Sequence, residues 1–377
     1  MKAQGIINLT WHEIAIIMNK EFRDEHTSAQ ESSWRKKYAN AYSFYKNVFQ
    51  SLSTSEDMDF LEKERILQEK TLKMRDERNE LNRIKRDFFR QKSFIELVKR
   101  EMEKPIVPFE LYPNYSYKFD DTGNDLIVHL TDIHAGIKID NTFNKYNIEI
   151  LKDRLTKYLE KIYKISKTHN PTNCYLVLGG DLISGAIHTS LRIENNENVI
   201  TQIKYVSELL SEFALKLSKI FNNVYIHSVS GNHSRLTPNK ENHLKGEELD
   251  AFIPFYMKAK LQNLTNIYII DNTIDESIAS FSLRGKLYYA VHGDKDTPKN
   301  VASRLSFLTK VIPYCIIMGH RHTNNMHTVD DVKIVESGCV SGIDNYCLDH
   351  RLIGTPEQTV LVCTDEGIDC YYDIKLQ

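Results

Sequence analysis

The six cysteines (Cys174, Cys315, Cys339, Cys347, Cys363 and Cys370) include no Cys-x-x-Cys pair, and two of them lie inside apolar, strand-like runs. They read as reduced, mostly buried thiols of a cytosolic protein, not as a disulfide framework. No apolar run follows a basic start, so no signal peptide is expected. No stretch of ~18 or more apolar residues offers a membrane span. An excess of charge is missing too. The net charge is −2, so any nucleic-acid contact has to come from local basic patches, not from a global field. What the chain does have is 41% apolar and 27% charged residues, enough to bury a real core. Its 377 residues exceed a typical domain of ~100–200 and suit one large and one small domain.

Residues 1–50 are expected to form a small all-α head. Thr10 is a candidate N-cap with Glu13 three residues on, a capping box ahead of Ile14-Ala15-Ile16-Ile17-Met18. Ser32-Ser33 precede a second helical stretch, Trp34-Arg35-Lys36-Lys37-Tyr38, which continues through Tyr42, Tyr45, Val48 and Phe49. Helix, short loop, then a helix with basic and aromatic residues in its first turns is helix-turn-helix-like, and such a helix can enter a major groove. A helical hairpin packed on the rest of the protein is the competing expectation.

Residues 51–116 are expected to form a long charged helix and a linker. Between residues 56 and 104 there is neither glycine nor proline. Phe60, Leu67, Met74, Leu81, Phe88 and Ile95 recur every seven residues, whereas the row three positions on is mostly Lys, Glu and Gln. A coiled coil needs both rows, so a homodimer zipper is the minority expectation and a spacer helix with a narrow apolar stripe the main one. Arg83, Lys85, Arg86, Arg90 and Lys92 around Phe88 and Phe89 could follow a phosphate backbone. A solvated face is the alternative. Pro105, Pro108 and Pro113 mark the linker.

From residue 117 to 377 strands and helices alternate, the pattern of a layered α/β domain. Strands are expected at 126–131, 174–179, 224–230, 267–271, 279–284, 287–292, 314–318 and 333–336. Helices are expected near 147–168, 198–221 and 299–310. Five of the strand ends carry ligand-type residues: Asp132-Ile133-His134, Gly180-Asp181, Gly231-Asn232-His233, His292-Gly293-Asp294 and Gly319-His320-Arg321-His322. Asp132 and His134 are two apart, so extended backbone would point both the same way. Strand ends are where α/β sheets form ligand sites, and the glycines allow the tight turns that converge on one. Each segment alone is an ordinary turn; five in this order indicate a metal centre.

In that order the segments resemble the calcineurin-like metallophosphoesterase superfamily, over residues 125 to about 345, and within it the repair-exonuclease branch. The resemblance implies a layered β-sandwich flanked by helices and two divalent ions, Mn²⁺ first, with Fe or Zn²⁺ as alternatives. Carried over by motif, Asp132, His134 and His322 would hold one ion. Asn232, His292 and His320 would hold the other, with Asp181 bridging them. His233 would be the catalytic histidine beside the scissile phosphate. Oxygen and imidazole donors without thiolate fit those ions and do not choose among them. Two cations ~3.5–4 Å apart lower the pKa of a water and neutralise phosphoryl charge, while a histidine can protonate the leaving oxygen.

Many relatives follow Gly-Asn-His with a carboxylate that can orient the histidine; here Ser234 and Arg235 follow, which leaves the protonation state of His233 open. Arg235 is expected to bind a substrate phosphate bidentately. His188 and Arg192, and later Tyr346, His350 and Arg351, are cleft candidates with solvated loops as the alternative. His169, His227, His243 and His327 are expected to be structural or surface residues.

The leading reading is a two-metal phosphodiesterase of nucleic acid, a DNA nuclease with an N-terminal nucleic-acid-binding module, working in the cytoplasm and on no membrane. A phosphomonoesterase or protein phosphatase shares the same metal chemistry. A non-catalytic nucleic-acid-binding protein is the reading from another class. More loosely, the arrangement resembles phage- or prophage-borne metallophosphoesterases with a helical DNA-binding front end. The location would then be the host cytoplasm.

Overall fold

The computed structural model describes residues 8–23, 29–49, 65–83, 85, 96, 123–185, 187, 197–237, 246–352 and 354–377. The chain divides into two compact units, residues 1–96 and 97–377.

In the first unit, α1 (Trp11–Phe22) begins at Thr10, whose hydroxyl accepts from the Glu13 N–H while the Glu13 carboxylate accepts from the Thr10 N–H. Helix α2 spans Glu31–Phe44 and runs into a π-helical turn, Tyr45–Phe49. Its N-cap is Gln30, without a side-chain cap bond. The expected Ser32-Ser33 cap therefore lies inside the first turn, because the backbone is already helical at Glu31. Asn19 ties the two helices together. Its amide donates to the Ala29 carbonyl (2.8 Å), and its Oδ1 accepts from the Ala29 N–H (2.9 Å) and from Trp34 Nε1 (2.8 Å). Trp11 packs edge-on to Tyr38 at 5.2 Å between ring centroids. Trp34 and Tyr38 of the second helix thus contact the first, while Arg35, Lys36 and Lys37 remain exposed.

Residues 65–83 are helical (α3). Of the seven-residue row, Met74 and Leu81 are 44% and 52% exposed, so within the described residues the stripe is not buried. The linker prolines and the basic segment beyond residue 85 lie outside the described residues.

The second unit is two stacked sheets. In chain order the strands are β1 (Asp125–Leu130), β2 (Ile139–Asp140), β3 (Lys145–Tyr146), β4 (Asn173–Leu178), β5 (Asn223–Ser228), β6 (Ile267–Ile270), β7 (Ala279–Leu283), β8 (Lys286–Val291), β9 (Cys315–His322), β10 (Asn325–Val329), β11 (Val332–Gly338), β12 (Glu357–Thr364) and β13 (Gly367–Lys375). The first sheet has the order β13-β12-β1-β4-β5-β6 and the second β10-β11-β9-β8-β7. Strands β1, β4, β5 and β6 are parallel neighbours, whereas β12 and β13 enter antiparallel at the β1 side.

Between the sheets lie Ile127, Val177, Phe281, Tyr288, Ile317, Val335 and Leu361, all nearly or fully buried. Alternate residues of each strand face this layer, and their neighbours face helices. Helices α4 (Ile148–His169) and α5 (Val199–Ile220) follow β3 and β4, with α4 packing against β3 and β12 and α5 against α4 and β5. Two further helices are α6 (Phe252–Leu261) and α7 (Val301–Thr309). Val301, Ala302 and Leu305 of α7 pack on Tyr289, Val291, Ile316 and Met318 of the second sheet. A short helix, α8 (Asn345–Asp349), follows β11. This arrangement is the sandwich with flanking helices expected from the motifs. The parallel strands have both faces covered, which is why β1 is buried along its whole length.

One buried cation positions the loops above the sheets. Arg154 of α4 is 6% exposed and donates to the Val340 and Ser341 carbonyls (2.7 and 2.8 Å) and to Asn144 Oδ1 (2.9 Å). Replacing it by alanine takes the guanidinium donor from the Val340 carbonyl and Asn144 Oδ1, while the Ser341 carbonyl keeps the Asn144 amide as a donor. Arg154→Ala is expected to cost on the order of 3 kcal/mol of stability, measurable by urea unfolding. A loss under ~1 kcal/mol would mean that water replaces the guanidinium.

Candidate metal centre

The five motif loops meet at the carboxyl ends of β1, β4, β5, β8 and β9. Asp132, His134 and His322 form one cluster, and Asp181, His292 and His320 another, each with ligand atoms within 4.8 Å of one another. A third cluster, His134, Asp181 and His233, places the Asp181 carboxylate between the two. His322 Nε2 lies 3.1 Å from Asp132 Oδ1 and 3.3 Å from His134 Nε2. His292 Nε2 lies 3.1 Å from Asp181 Oδ2 and 3.2 Å from Asn232 Oδ1. All seven residues expected to bind metal are thus gathered at one sheet edge.

The local backbone differs from the expectation at one point. β1 ends at Leu130, and Asp132 and His134 do not share a direction through extended geometry. Both have left-handed φ, 51° and 49°, as do Asp181 (50°), His320 (67°) and His322 (56°). Such a conformation costs roughly 1–3 kcal/mol at a non-glycine residue and persists where the surroundings impose it. Here the surroundings are a backbone zipper continuing past the strand ends. Asp132 N–H donates to the Gly180 carbonyl, His134 N–H to Asp181 and Ala135 N–H to Leu182, at 3.0–3.1 Å. Gln358 of β12 adds to it by accepting from Thr131 N–H at 2.8 Å. Glycine is required beside it: a Cβ on Gly231 would sit 2.1 Å from both the backbone nitrogen and Oδ1 of Asp181.

Hydrogen bonds orient the donors. Asp132 Oδ2 accepts from the Thr131 hydroxyl (2.7 Å) and from the His320 N–H (2.9 Å), leaving Oδ1 toward His322. His292 Nδ1 donates to the Gly179 carbonyl at 2.8 Å, which directs Nε2 to Asp181. Asp181 Oδ1 accepts from the His233 N–H at 2.7 Å. The carboxylate missing after Gly-Asn-His has a substitute. His233 Nδ1 lies 3.0 Å from the Ser184 carbonyl, which can only accept, so Nδ1 carries the proton and Nε2 faces Asp181 Oδ2 at 3.9 Å.

Burial and charge then separate the imidazoles. Burial and the nearby His233 push His134 down to about 3, and burial lowers His320 to about 4, so both rings are neutral with a lone pair to give. At His292 burial acts the same way, yet the Asp181 carboxylate overrides it and raises the ring to about 10. His322 is raised well above its ordinary value against burial, by the Cys339 sulfur and the hydrogen bond to Asp132. Asp132 and Asp181 are ionised despite burial, held low by His322 and His292 respectively.

Buried anionic oxygens, neutral imidazoles and a neutral amide, fixed from behind, fit a pair of divalent ions. Metal must displace the protons of His292 and His322. Loading the stripped protein near neutral pH is therefore expected to release about two protons, with affinity rising as pH rises. Calorimetry in buffers of different ionisation enthalpy reads this directly. An enthalpy independent of buffer would contradict it.

Other expected residues fall differently. Arg235 is nine-tenths buried, and its Nε donates to the Asn232 carbonyl at 2.9 Å, bracing the turn that carries the site. Its Nη1 is buried without a hydrogen-bond partner among the described residues. His188, Arg192 and His243 lie outside the described residues. Tyr346 and His350 stack on each other at 4.1 Å, and Arg351 is exposed. His227 stacks on Phe281 at 4.4 Å, inside the core. Asp250 was not legible as a site residue. It is fully buried, its Oδ2 accepts the Gly231 N–H at 3.0 Å, and burial, with the charge of Asp181, pushes it up to about 7. No motif marks it, because its partner is a backbone group 19 residues away.

No curated protein matches the chain in sequence. Solved structures with a similar fold include an archaeal phosphodiesterase (14% identity, covering 66% of this chain and 99% of that one, TM-score 0.32). They also include the zinc complex of Vps29 from Entamoeba histolytica (11%, 67% and 99%, TM-score 0.31) and a phosphoesterase-like protein from Streptococcus pneumoniae (8%, 67% and 98%, TM-score 0.26). Residues 1–53 match the YonJ N-terminal domain. Residues 126–352, more than half of the chain, match the calcineurin-like phosphoesterase model. With its His and Asp clusters able to hold metal in the matched region, the chain belongs to the calcineurin-like phosphoesterase family of metal-dependent phosphoester hydrolases.

Proposed function

We propose that this protein is a two-metal-dependent phosphodiesterase that cleaves nucleic acid, with DNA as substrate and the N-terminal helices as a nucleic-acid-binding module. The observation that carries the reading is Asp181 standing between two ligand clusters, with His233 Nε2 turned toward the same point. Two bound divalent ions would activate water and neutralise the charge of the phosphoryl oxygens. Asp132, His134 and His322 would hold one ion, and Asn232, His292 and His320 the other. Asp181 would bridge them, its charge limiting the repulsion between the ions. His233 would give a proton from Nε2 to the leaving oxygen while the Ser184 carbonyl holds the ring by Nδ1. The Arg235 Nη1 group, without a partner among the described residues, would pair with a phosphate oxygen.

A diester of a polymer suits the rest of the chain better than a small monoester does. Arg35, Lys36 and Lys37 are exposed along one helix of the first unit, and cationic side chains so placed supply sequence-independent hold on a phosphate backbone. The cavity of about 480 Å³ beside His292 is lined by Glu248, Asp275, Asp294 and Asp296 against Lys295 and Arg304. Its acidic excess gives a polyanion no reason to lie there, so the strand is expected to approach from the His233 and Arg235 side. The test is cleavage of labelled single- and double-stranded DNA against hydrolysis of p-nitrophenyl phosphate, with Mn²⁺ added. DNA cleavage exceeding monoester hydrolysis supports the reading. The reverse ranking makes the protein a phosphomonoesterase or phosphatase, and binding without turnover under any divalent ion makes it a binding protein.

A further inference from the structure

At the sheet end away from the motif loops, His169, Asp369 and Cys370 place one ligand atom each within 4.8 Å of one another. His169 ends helix α4, while the other two belong to β13, the edge strand of the first sheet. Neighbouring residues of a regular strand point to opposite faces, so Asp369 and Cys370 should not meet. They do because the strand is bulged. Val362 pairs with Cys370 and Cys363 with Ile368, which leaves Asp369 as an extra residue, and a bulge re-aims side chains in this way. Cys370 Sγ lies 3.6 Å from Asp369 Oδ2. Two residues on, the Tyr372 hydroxyl lies 2.6 Å from His169 Nε2. With the phenol oxygen accepting from Nε2–H, Nδ1 keeps its lone pair, the tautomer that binds a cation.

We propose that His169, Asp369 and Cys370 form a peripheral site for a divalent ion of the zinc class, which fastens the edge strand β13 to the end of helix α4. One thiolate, one imidazole and one carboxylate are a zinc-type donor set, and none of the three belongs to the phosphoesterase centre. Burial and the Asp369 carboxylate raise the Cys370 thiol. A dication relieves that repulsion: the S–H bond breaks, a sulfur–metal bond forms, and the proton passes to solvent. An ion here would also protect an edge strand, the part of a sheet most open to fraying.

Cobalt distinguishes this site from the catalytic one, because the latter has only oxygen and nitrogen donors. Titrating the full-length protein with Co²⁺ is expected to give a near-ultraviolet thiolate-to-cobalt charge-transfer band and one equivalent of metal beyond those of the phosphoesterase centre. Cys370→Ser and His169→Ala should each lose the band and that equivalent while phosphoesterase turnover is kept. In the unmodified protein Zn²⁺ should slow alkylation of Cys370 by iodoacetamide, an assay that needs no variant. No band in the wild type, or a band surviving in Cys370→Ser and so arising from another thiol such as Cys339, would overturn the proposal. Alkylation of Cys370 at the same rate with and without Zn²⁺ would do so as well.

Discussion

Asp181→Asn is expected to lower phosphoester turnover by about 10³-fold or more and to leave the purified protein with fewer than two metal equivalents. The substitution is isosteric, so the hydrogen bond that Asp181 Oδ1 accepts from the His233 N–H can survive. What is lost is charge. The ionised carboxylate is replaced by an amide, whose NH₂ group would face His292 Nε2, 3.1 Å from Oδ2 in the native protein. Two cations at bridging distance would then repel without an anion between them. Several kcal/mol of transition-state stabilisation depend on the pair, and each 1.36 kcal/mol is a tenfold change in rate. Metal analysis beside a turnover assay separates the alternatives. Two retained equivalents with activity within tenfold of the wild type would rule out a bridging role.

His233→Ala is expected to lower kcat for DNA by 10²–10⁴-fold, the usual contribution of a positioned general acid, while leaving metal content unchanged. The ring is held by the Ser184 carbonyl and lies 3.9 Å from Asp181 Oδ2, so its removal takes no anion from the ligand set. The size of the loss should depend on the leaving group. A sugar alkoxide needs a proton as it departs, whereas p-nitrophenolate leaves unaided. Against bis-p-nitrophenyl phosphate the same variant should therefore lose far less. Equal losses on both substrates would assign His233 to charge stabilisation or positioning instead of proton transfer.

The candidate ligand residues were legible because metal chemistry restricts side-chain types so strongly. Only a few residues can serve as donors, and five segments of them in a fixed order are hard to produce otherwise. The strands that carry them were legible from apolar runs; β1, β4, β5 and β8 lie within one or two residues of the expected bounds. Strands β10, β12 and β13 were not foreseen. β12 is an interior strand of the first sheet, next to its edge, and pairs with β1 over 200 residues away, yet such pairing leaves no local trace in sequence. A similar distance hid Gln358, which extends the ladder at Thr131, and Asp250, 19 residues from the Gly231 it holds, was hidden because its partner is a backbone group.

Sequence alone pointed to a metal centre, since ligand-type residues stand at five successive strand ends, and their order carried the resemblance that implied phosphoester chemistry. It also determined the alternation of strands and helices, because burial periodicity is a local property of the chain, whereas the two-sheet sandwich was implied only by the resemblance. Tertiary structure decided how the donors converge. Left-handed backbone at Asp132, His134, Asp181, His320 and His322 is unfavourable in isolation and exists only because neighbouring loops hydrogen-bond it in place. Tertiary structure also decided what orients His233. A backbone carbonyl does the work of the missing carboxylate, and a carbonyl is present at every residue, so no sequence pattern could have singled out Ser184.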